Sequence, residues 1–128
     1  AGGGLPSALI HPDPMPVNTI TTPDGHPVLI DWTGAGHGPR VWPLAFLLWA
    51  AGQKSAACVR AVAAGYRPHL QLEAEELDRL AAVIAARPVM FAAWGFATGR
   101  ERLPGVVERL PVIGAKAASI ASSVRDML

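Results

Sequence analysis

Three prolines within the eight residues His11-Pro-Asp-Pro-Met-Pro-Val-Asn18 constrain this chain more than any other stretch. Proline fixes φ and carries no N–H, so the segment can form neither a helix nor an interior strand. It must be an ordered loop whose shape the prolines largely set. Before it, Ser7 to Ile10 is a short apolar lead-in, and Ala1-Gly-Gly-Gly4 reads as a flexible beginning. After it, Thr19 to Thr22 and Pro27 to Ile30 are β-prone runs on either side of Pro23-Asp24-Gly25-His26. Asp-Gly between apolar runs is a strong hairpin signal. The second run ends at Asp31, and Thr33 to Gly38 reads as a glycine-rich turn.

From there the pattern turns helical. Pro43 suits a first helical turn, and Leu44 to Ala51 continues it to Gly52. Ser55 can cap a second helix reaching Gly65 or Tyr66. Leu72 to Ala86 has Glu73, Glu75 and Glu76 at its amino end, where the macrodipole favours them, and an apolar stripe of Leu77, Leu80, Val83 and Ile84. Arg87-Pro88 is expected to end that helix. Pro88 to Thr98 then reads as a separate buried helix stopped by Gly99, Arg100 to Glu108 as a polar connector, and Val112 to Leu128 as a final helix. The fold class is mainly α with a small β-hairpin.

A length of 128 residues fits one domain. The longest near-continuous apolar run, Val41 to Ala51, is too short to cross a bilayer, so no membrane span is expected. Cys58 is the only cysteine, which excludes an internal disulfide and points to a reducing, cytoplasmic setting. A formal charge of +1 gives no electrostatic case for nucleic acid or a membrane surface. Four tryptophans and many leucines suggest apolar faces that want another lobe or subunit.

Phosphoryl transfer needs a carboxylate to orient the attacking hydroxyl and accept its proton, and oxygen ligands that hold Mg²⁺ on the phosphates. A tight loop can aim an Asp at the acceptor while an Asn at its far end turns an amide oxygen to the metal. A following hairpin then returns a second Asp alongside. Mg²⁺ takes hard oxygen ligands and few of them from protein, so one Asn and one Asp suffice. This sequence has that order in His11-x-Asp13-x-x-x-x-Asn18, a hairpin, and Ile30-Asp31-Trp32.

Here it resembles the aminoglycoside phosphotransferase and choline kinase-like superfamily, which is protein kinase-like. That superfamily's pattern is His-Gly-Asp-x-x-x-x-Asn, a hairpin, then Ile-Asp-Trp or Ile-Asp-Phe. Leu44-Ala45 likewise resembles the Leu-Ala that opens the family's next helix. The resemblance implies that Asp13 is the catalytic base, that Asn18 and Asp31 are Mg²⁺ ligands, and that His11 supports the loop without doing chemistry. It implies the carboxy-terminal lobe of a kinase-like fold, with residues 1–40 as catalytic loop, hairpin and metal-binding segment and 41–128 as helical subdomain. ATP and Mg²⁺ are the implied cofactors, and a small molecule bearing a hydroxyl, aminoglycoside-like or amino alcohol-like, is the implied substrate.

The match departs from the pattern at three places. Pro12 replaces the usual Gly, Pro14 stands where Leu is common, and Pro43 takes the place of an Asp that steadies the catalytic loop. The family's amino-terminal lobe, with its phosphate-binding lysine, has no counterpart ahead of His11, and Lys54 and Lys116 lie in the helical part. The isolated chain is therefore expected to bind ATP poorly and to be inactive without that lobe or another subunit.

Other readings stay open. Asp13 can be a turn former, Asn18 a cap at the strand entry, and Asp31 a partner of the glycine-rich backbone. A non-catalytic pseudokinase-like or helical interaction module is the alternative function. Gly34 to Gly38 lacks the Lys-Ser/Thr of a phosphate loop. His26 and His37 lack metal spacing with Cys58 or His69. Arg40 reads as a loop-pairing arginine or a phosphate contact. The acidic cluster of Glu73, Glu75, Glu76 and Asp78 reads as a helix amino end or as a greeting for a cationic acceptor.

Overall fold

The computed structural model describes residues 4–128. Most of the expected flexible beginning, Ala1 to Gly3, lies outside the described residues. Four short strands precede four helices: β1 (Ser7–Ile10), β2 (Thr19–Thr21), β3 (Pro27–Leu29), β4 (Gly36–Pro39), α1 (Trp42–Gly52), α2 (Ala56–Tyr66), α3 (Ala74–Ala97) and α4 (Leu103–Val124). Single 3₁₀ turns cover Pro16–Asn18 and Arg125–Met127. The chain is thus mainly α with small antiparallel sheets.

The expected hairpin forms. β2 pairs with β3 in the register Thr19↔Leu29, Ile20↔Val28, Thr21↔Pro27. Gly25 takes φ 88° at its tip, where a side chain would be strained. The glycine-rich turn is more structured than expected, because Gly36–Pro39 is a strand that pairs antiparallel with β1 from Ser7↔Pro39 to Ile10↔Gly36. This second pair brackets the proline loop and the hairpin, so both ends of the site segment are pinned to the same two-stranded base.

The helices hold the core. α1 is apolar on all sides, as a helix surrounded by others must be, and it packs against α2, α3 and α4. Val41, Leu44, Leu48, Leu80, Ile84 and Val124 are fully buried at its centre. Ser55 Oγ accepts from the Cys58 N–H at 3.1 Å and starts α2, as its position predicts. Gly52 lets α1 end against α4: a Cβ there would stand 2.5 Å from Ile120 Cδ1.

Two expected boundaries are corrected. α3 does not stop at Arg87-Pro88 but runs on to Ala97. Leu80, Ile84, Ala92 and Gly95 are buried along one stripe that Pro88 also occupies, so packing on both sides offsets the lost hydrogen bond and ring clash, about 3 kcal/mol. α4 begins at Leu103 rather than Val112 and passes through Pro111. Pro104 in its first turn costs nothing there, and Val106 is already buried. As one continuous element, α3 is long and apolar enough to cross a membrane by length and composition. It packs against α1 and α4, with 28% of its most apolar stretch buried and Met90, Phe91, Trp94 and Phe96 about half exposed.

Candidate active site

The proline loop is tied to itself and to the hairpin by hydrogen bonds from both of its ends. The Asp13 N–H donates to His11 Nδ1 at 3.1 Å, so the ring proton sits on Nε2, which donates to the Ile30 carbonyl at 2.9 Å. His11 is buried and spends both nitrogens on backbone. It bridges the loop before Asp13 to the strand end before Asp31. Trp32 packs edge-on against its ring at 4.6 Å and donates Nε1–H to the Leu29 carbonyl at 3.0 Å.

Asn18 closes the other end of the loop. Its Nδ2 donates to the Asp13 carbonyl at 2.8 Å, which leaves the amide Oδ1 as a free oxygen donor atom. Its own carbonyl accepts from Ile30 N–H at 2.9 Å, extending the hairpin ladder by one pair beyond Thr19↔Leu29. Asn18 is therefore bonded to Asp13 on one side and to the residue before Asp31 on the other.

Asp31 has φ 59°, the one described non-glycine residue in the left-handed region. Asp tolerates that region better than most side chains, yet it is still a strained position, and such positions cluster at functional sites. The carboxylate is exposed. Among the described residues no group of three or more His, Cys, Asp or Glu is placed to hold a metal. A metal at this loop would rest on the Asn18 amide oxygen and the Asp31 carboxylate. Both are hard oxygen donors, which is the donor chemistry Mg²⁺ prefers.

Arg87, which the sequence reading did not single out, reaches Asp13 from α3: its Nη2 lies 2.6 Å from Asp13 Oδ1. The Arg87 guanidinium also covers the Phe46 ring at 4.1 Å and the Phe91 ring at 5.3 Å, so aromatic stacking fixes it in place. Asp13 Oδ1 is buried and lies in ion-pair range of Arg87 without an aligned hydrogen bond, while the side chain as a whole remains 40% exposed. Oδ2 is left as the oxygen that a hydroxyl can approach. The support that Pro43 cannot give to the proline loop thus comes from another helix. Only the pairing of an arginine with an acid far along the chain could have shown this, and a single sequence carries no such signal.

Arg40 settles as a pairing arginine. It spans Glu76, with Nη2 at 2.7 Å and Nε at 3.0 Å, and also reaches Glu73 and the Gln71 carbonyl. Glu76 is wholly buried and accepts from the Glu73 N–H as half of a capping box. Burial pushes the Glu76 carboxyl up, but the Arg40 hydrogen bond, the Glu73 N–H and the Arg40 charge together hold it below its ordinary value. The same hydrogen bond raises Arg40, against the cost of its burial. The residue after β4 is thereby locked to the start of α3.

The two faces of the hairpin differ. Asn18, Ile20, Val28 and Ile30 share one face, on which the three aliphatic side chains are 50%, 41% and 39% exposed. Thr19, Pro27 and Leu29 share the other, which lines an apolar cleft of about 910 Å³ together with His11, Trp32 and Leu47. Neither Asp13, Asn18 nor Asp31 lines that cleft. A smaller hollow of about 420 Å³ adjoins Asp13 through Met15 and Arg87.

The fold and site therefore define a mainly helical domain that carries a rigid Asp–Asn loop and a strained Asp on the hairpin after it. A model of the phosphotransferase enzyme family matches residues 2–83, and the chain belongs to that family. The match covers the loop, both strand pairs, α1, α2 and the first part of α3, and it ends before Arg87. No match was found among curated proteins or among solved structures.

Proposed function

We propose that this chain is the catalytic-loop region of an ATP-type, Mg²⁺-dependent phosphotransferase that acts on a hydroxyl group of a small molecule, built as the carboxy-terminal lobe of a kinase-like fold. The observation that carries the reading is the Asn18–Asp13 bond. It spends the amide nitrogen on the loop and leaves the amide oxygen unspent, on a residue whose carbonyl also holds Ile30, the neighbour of Asp31. In this reading residues 1–40 supply the base and metal ligands, and 41–128 supply the helical support.

Asp13 Oδ2 takes the proton of the acceptor hydroxyl as that oxygen bonds to the terminal phosphorus of the nucleotide. The bond from phosphorus to the bridging oxygen breaks, and the nucleoside diphosphate leaves with the electron pair. Asn18 and Asp31 would hold the Mg²⁺, which when bound neutralises phosphate charge. The exposed Ile20, Val28 and Ile30 offer an apolar floor on the same face as Asn18 for the flat base of the nucleotide. The phosphate-binding lysine of such enzymes is expected from a further lobe or a second subunit. Lys54 follows α1, and Lys116 on α4 already donates to Gln53 Oε1 at 2.7 Å. A cytoplasmic setting suits an ATP-dependent reaction and the single free thiol.

The test is phosphoryl transfer from Mg-ATP to a panel of small alcohols by this chain assembled with a kinase-type nucleotide lobe. Asp13→Asn is expected to lower turnover by about 10²- to 10⁴-fold while circular dichroism is unchanged. Transfer that survives the substitution would sink the assignment. The alternative, a non-catalytic pseudokinase-like module, draws support from Arg87 covering Asp13 Oδ1 and from Pro43. It predicts that no alcohol is phosphorylated and that Asp13→Asn changes no cellular phenotype.

A further inference from the structure

The hollow beside Asp13 has a chemistry of its own. Phe46, Trp49 and Phe91 form its aromatic walls, Met15 brings it to within two residues of Asp13, and Arg87 and Lys54 are its charged lining. No carboxylate lines it. Lys116 stands just outside, its ammonium 5.6 Å from the Trp49 ring, and adds a third positive charge on this side. At about 420 Å³ the hollow is the size that takes a small organic molecule.

The acids that could have drawn a cation are spent elsewhere. Glu73 and Glu76 face Arg40, Glu75 pairs with Arg79 at 2.6 Å, and Asp78 pairs with Arg125 at 2.5 Å. Each acid at the start of α3 thus already faces an arginine, Glu73 and Glu76 sharing one. Of the carboxylates in the site, Asp13 touches the hollow only through Arg87, and Asp31 does not line it. A guanidinium has five N–H donors, more than the contact with one carboxylate oxygen uses. An acceptor seated against the rings can therefore present an acid group to Arg87 and Lys54 and a hydroxyl to Asp13.

Resting on the phosphotransferase reading, we propose that this hollow is the acceptor pocket and that it selects a hydroxyl compound with a flat apolar body and an anionic group. A polycation meets the Lys54 and Lys116 ammonium groups there, and the nearby carboxylate, Asp13, is already paired with Arg87. Lys54 is the specificity-determining residue, since Arg87 also positions the base.

The experiment uses three probes that share a ring and a primary alcohol: para-(hydroxymethyl)benzoate, its amide and the matching benzylamine. Binding to the purified protein is measured by calorimetry. The benzoate is expected to bind about tenfold tighter than the amide, and the amine weakest. Lys54→Gln should remove most of the benzoate's advantage and leave the amide little changed. Quenching of tryptophan emission by the benzoate should disappear in Trp49→Phe, which locates the site. Equal affinities, a preference for the amine, or a benzoate preference that survives Lys54→Gln would each overturn the proposal. Phosphoryl transfer is read separately with Mg-ATP on the chain assembled with a kinase-type nucleotide lobe. Absence of transfer alongside the benzoate preference would remove the phosphotransferase reading and leave the pocket's charge preference supported. Transfer to the amine alone would do the reverse.

Discussion

Asp31 and its φ of 59° set a stability cost against a role for the side chain. A non-glycine residue in the left-handed region gives up on the order of 1 kcal/mol, and Asn tolerates the region as well as Asp does. Asp31→Asn is therefore expected to leave the melting temperature within about 2 °C of the native protein, since the backbone preference is kept. It should nevertheless weaken Mg²⁺ binding by on the order of tenfold or more, because one full charge leaves the metal. Calorimetric titration with MgCl₂, beside a thermal scan of the same variant, checks both halves. A large drop in melting temperature would show that the carboxylate has a structural duty. At this scale the sequence was legible where the chemistry is local. His11, Asp13, Asn18 and Asp31 lie within one loop and one hairpin, so their spacing carries the pattern. Arg87 was not legible, because its contact with Asp13 is made through tertiary packing of α3 beside Phe46 and depends on no neighbour in sequence.

Between elements, the Arg40–Glu76 clamp joins the end of the site segment to the first turn of α3. The Glu76 carboxyl titrates below its ordinary 4.5, so in acid the unfolded chain takes up the proton more readily than the folded one. The clamp's contribution is therefore fully present above about pH 5 and is lost as pH falls from there through the depressed folded value. Glu76→Gln should cost about 3 kcal/mol at pH 7, at the low end for a broken buried pair because Glu73 still faces Arg40. It should also flatten the acid limb of the stability curve. Urea midpoints taken from pH 7 down to pH 3 measure both effects, and a variant whose acid limb keeps the native slope would contradict them. The same scale shows why some elements were readable. The β2–β3 hairpin and the Ser55 cap are decided by residues a few positions apart. β4 was read as a turn because Gly36 and Gly38 have no side chains to show a strand's alternation, and its pairing with β1 is a long-range event. Pro88 and Pro111 suggested breaks, but a buried stripe running past each of them outweighs the local penalty.

Across the whole molecule, burial is unevenly shared. The hydrophobic core is drawn from α1 to α4 with Leu5, Val41 and Leu72, whereas β2 and β3 contribute no buried residue to it. A two-stranded ribbon with both termini held but no buried face is marginal by itself. Local opening of β2–β3 should therefore occur well below the free energy of global unfolding, while the amides of α1 and the first half of α3 open only with the whole fold. In native-state hydrogen exchange the N–H groups of Thr22 and Ile30, bonded to His26 and Asn18, are expected to exchange ahead of those of Leu48 and Ile84. The difference bears on function because Asn18 and Asp31 sit at the base of that ribbon. If they are the metal ligands, a bound Mg-nucleotide ties the two strands together where the backbone now does so alone. It should slow exchange at Ile30 by the linkage factor 1 + [L]/Kd and leave Ile84 governed by global stability. Protection that rises equally everywhere would place the ligand away from the hairpin. No change at Ile30 under saturating Mg-nucleotide would remove Asn18 and Asp31 from the metal site. Early exchange at Leu48, before Ile30, would show that the helical base is less firm than its buried leucines require.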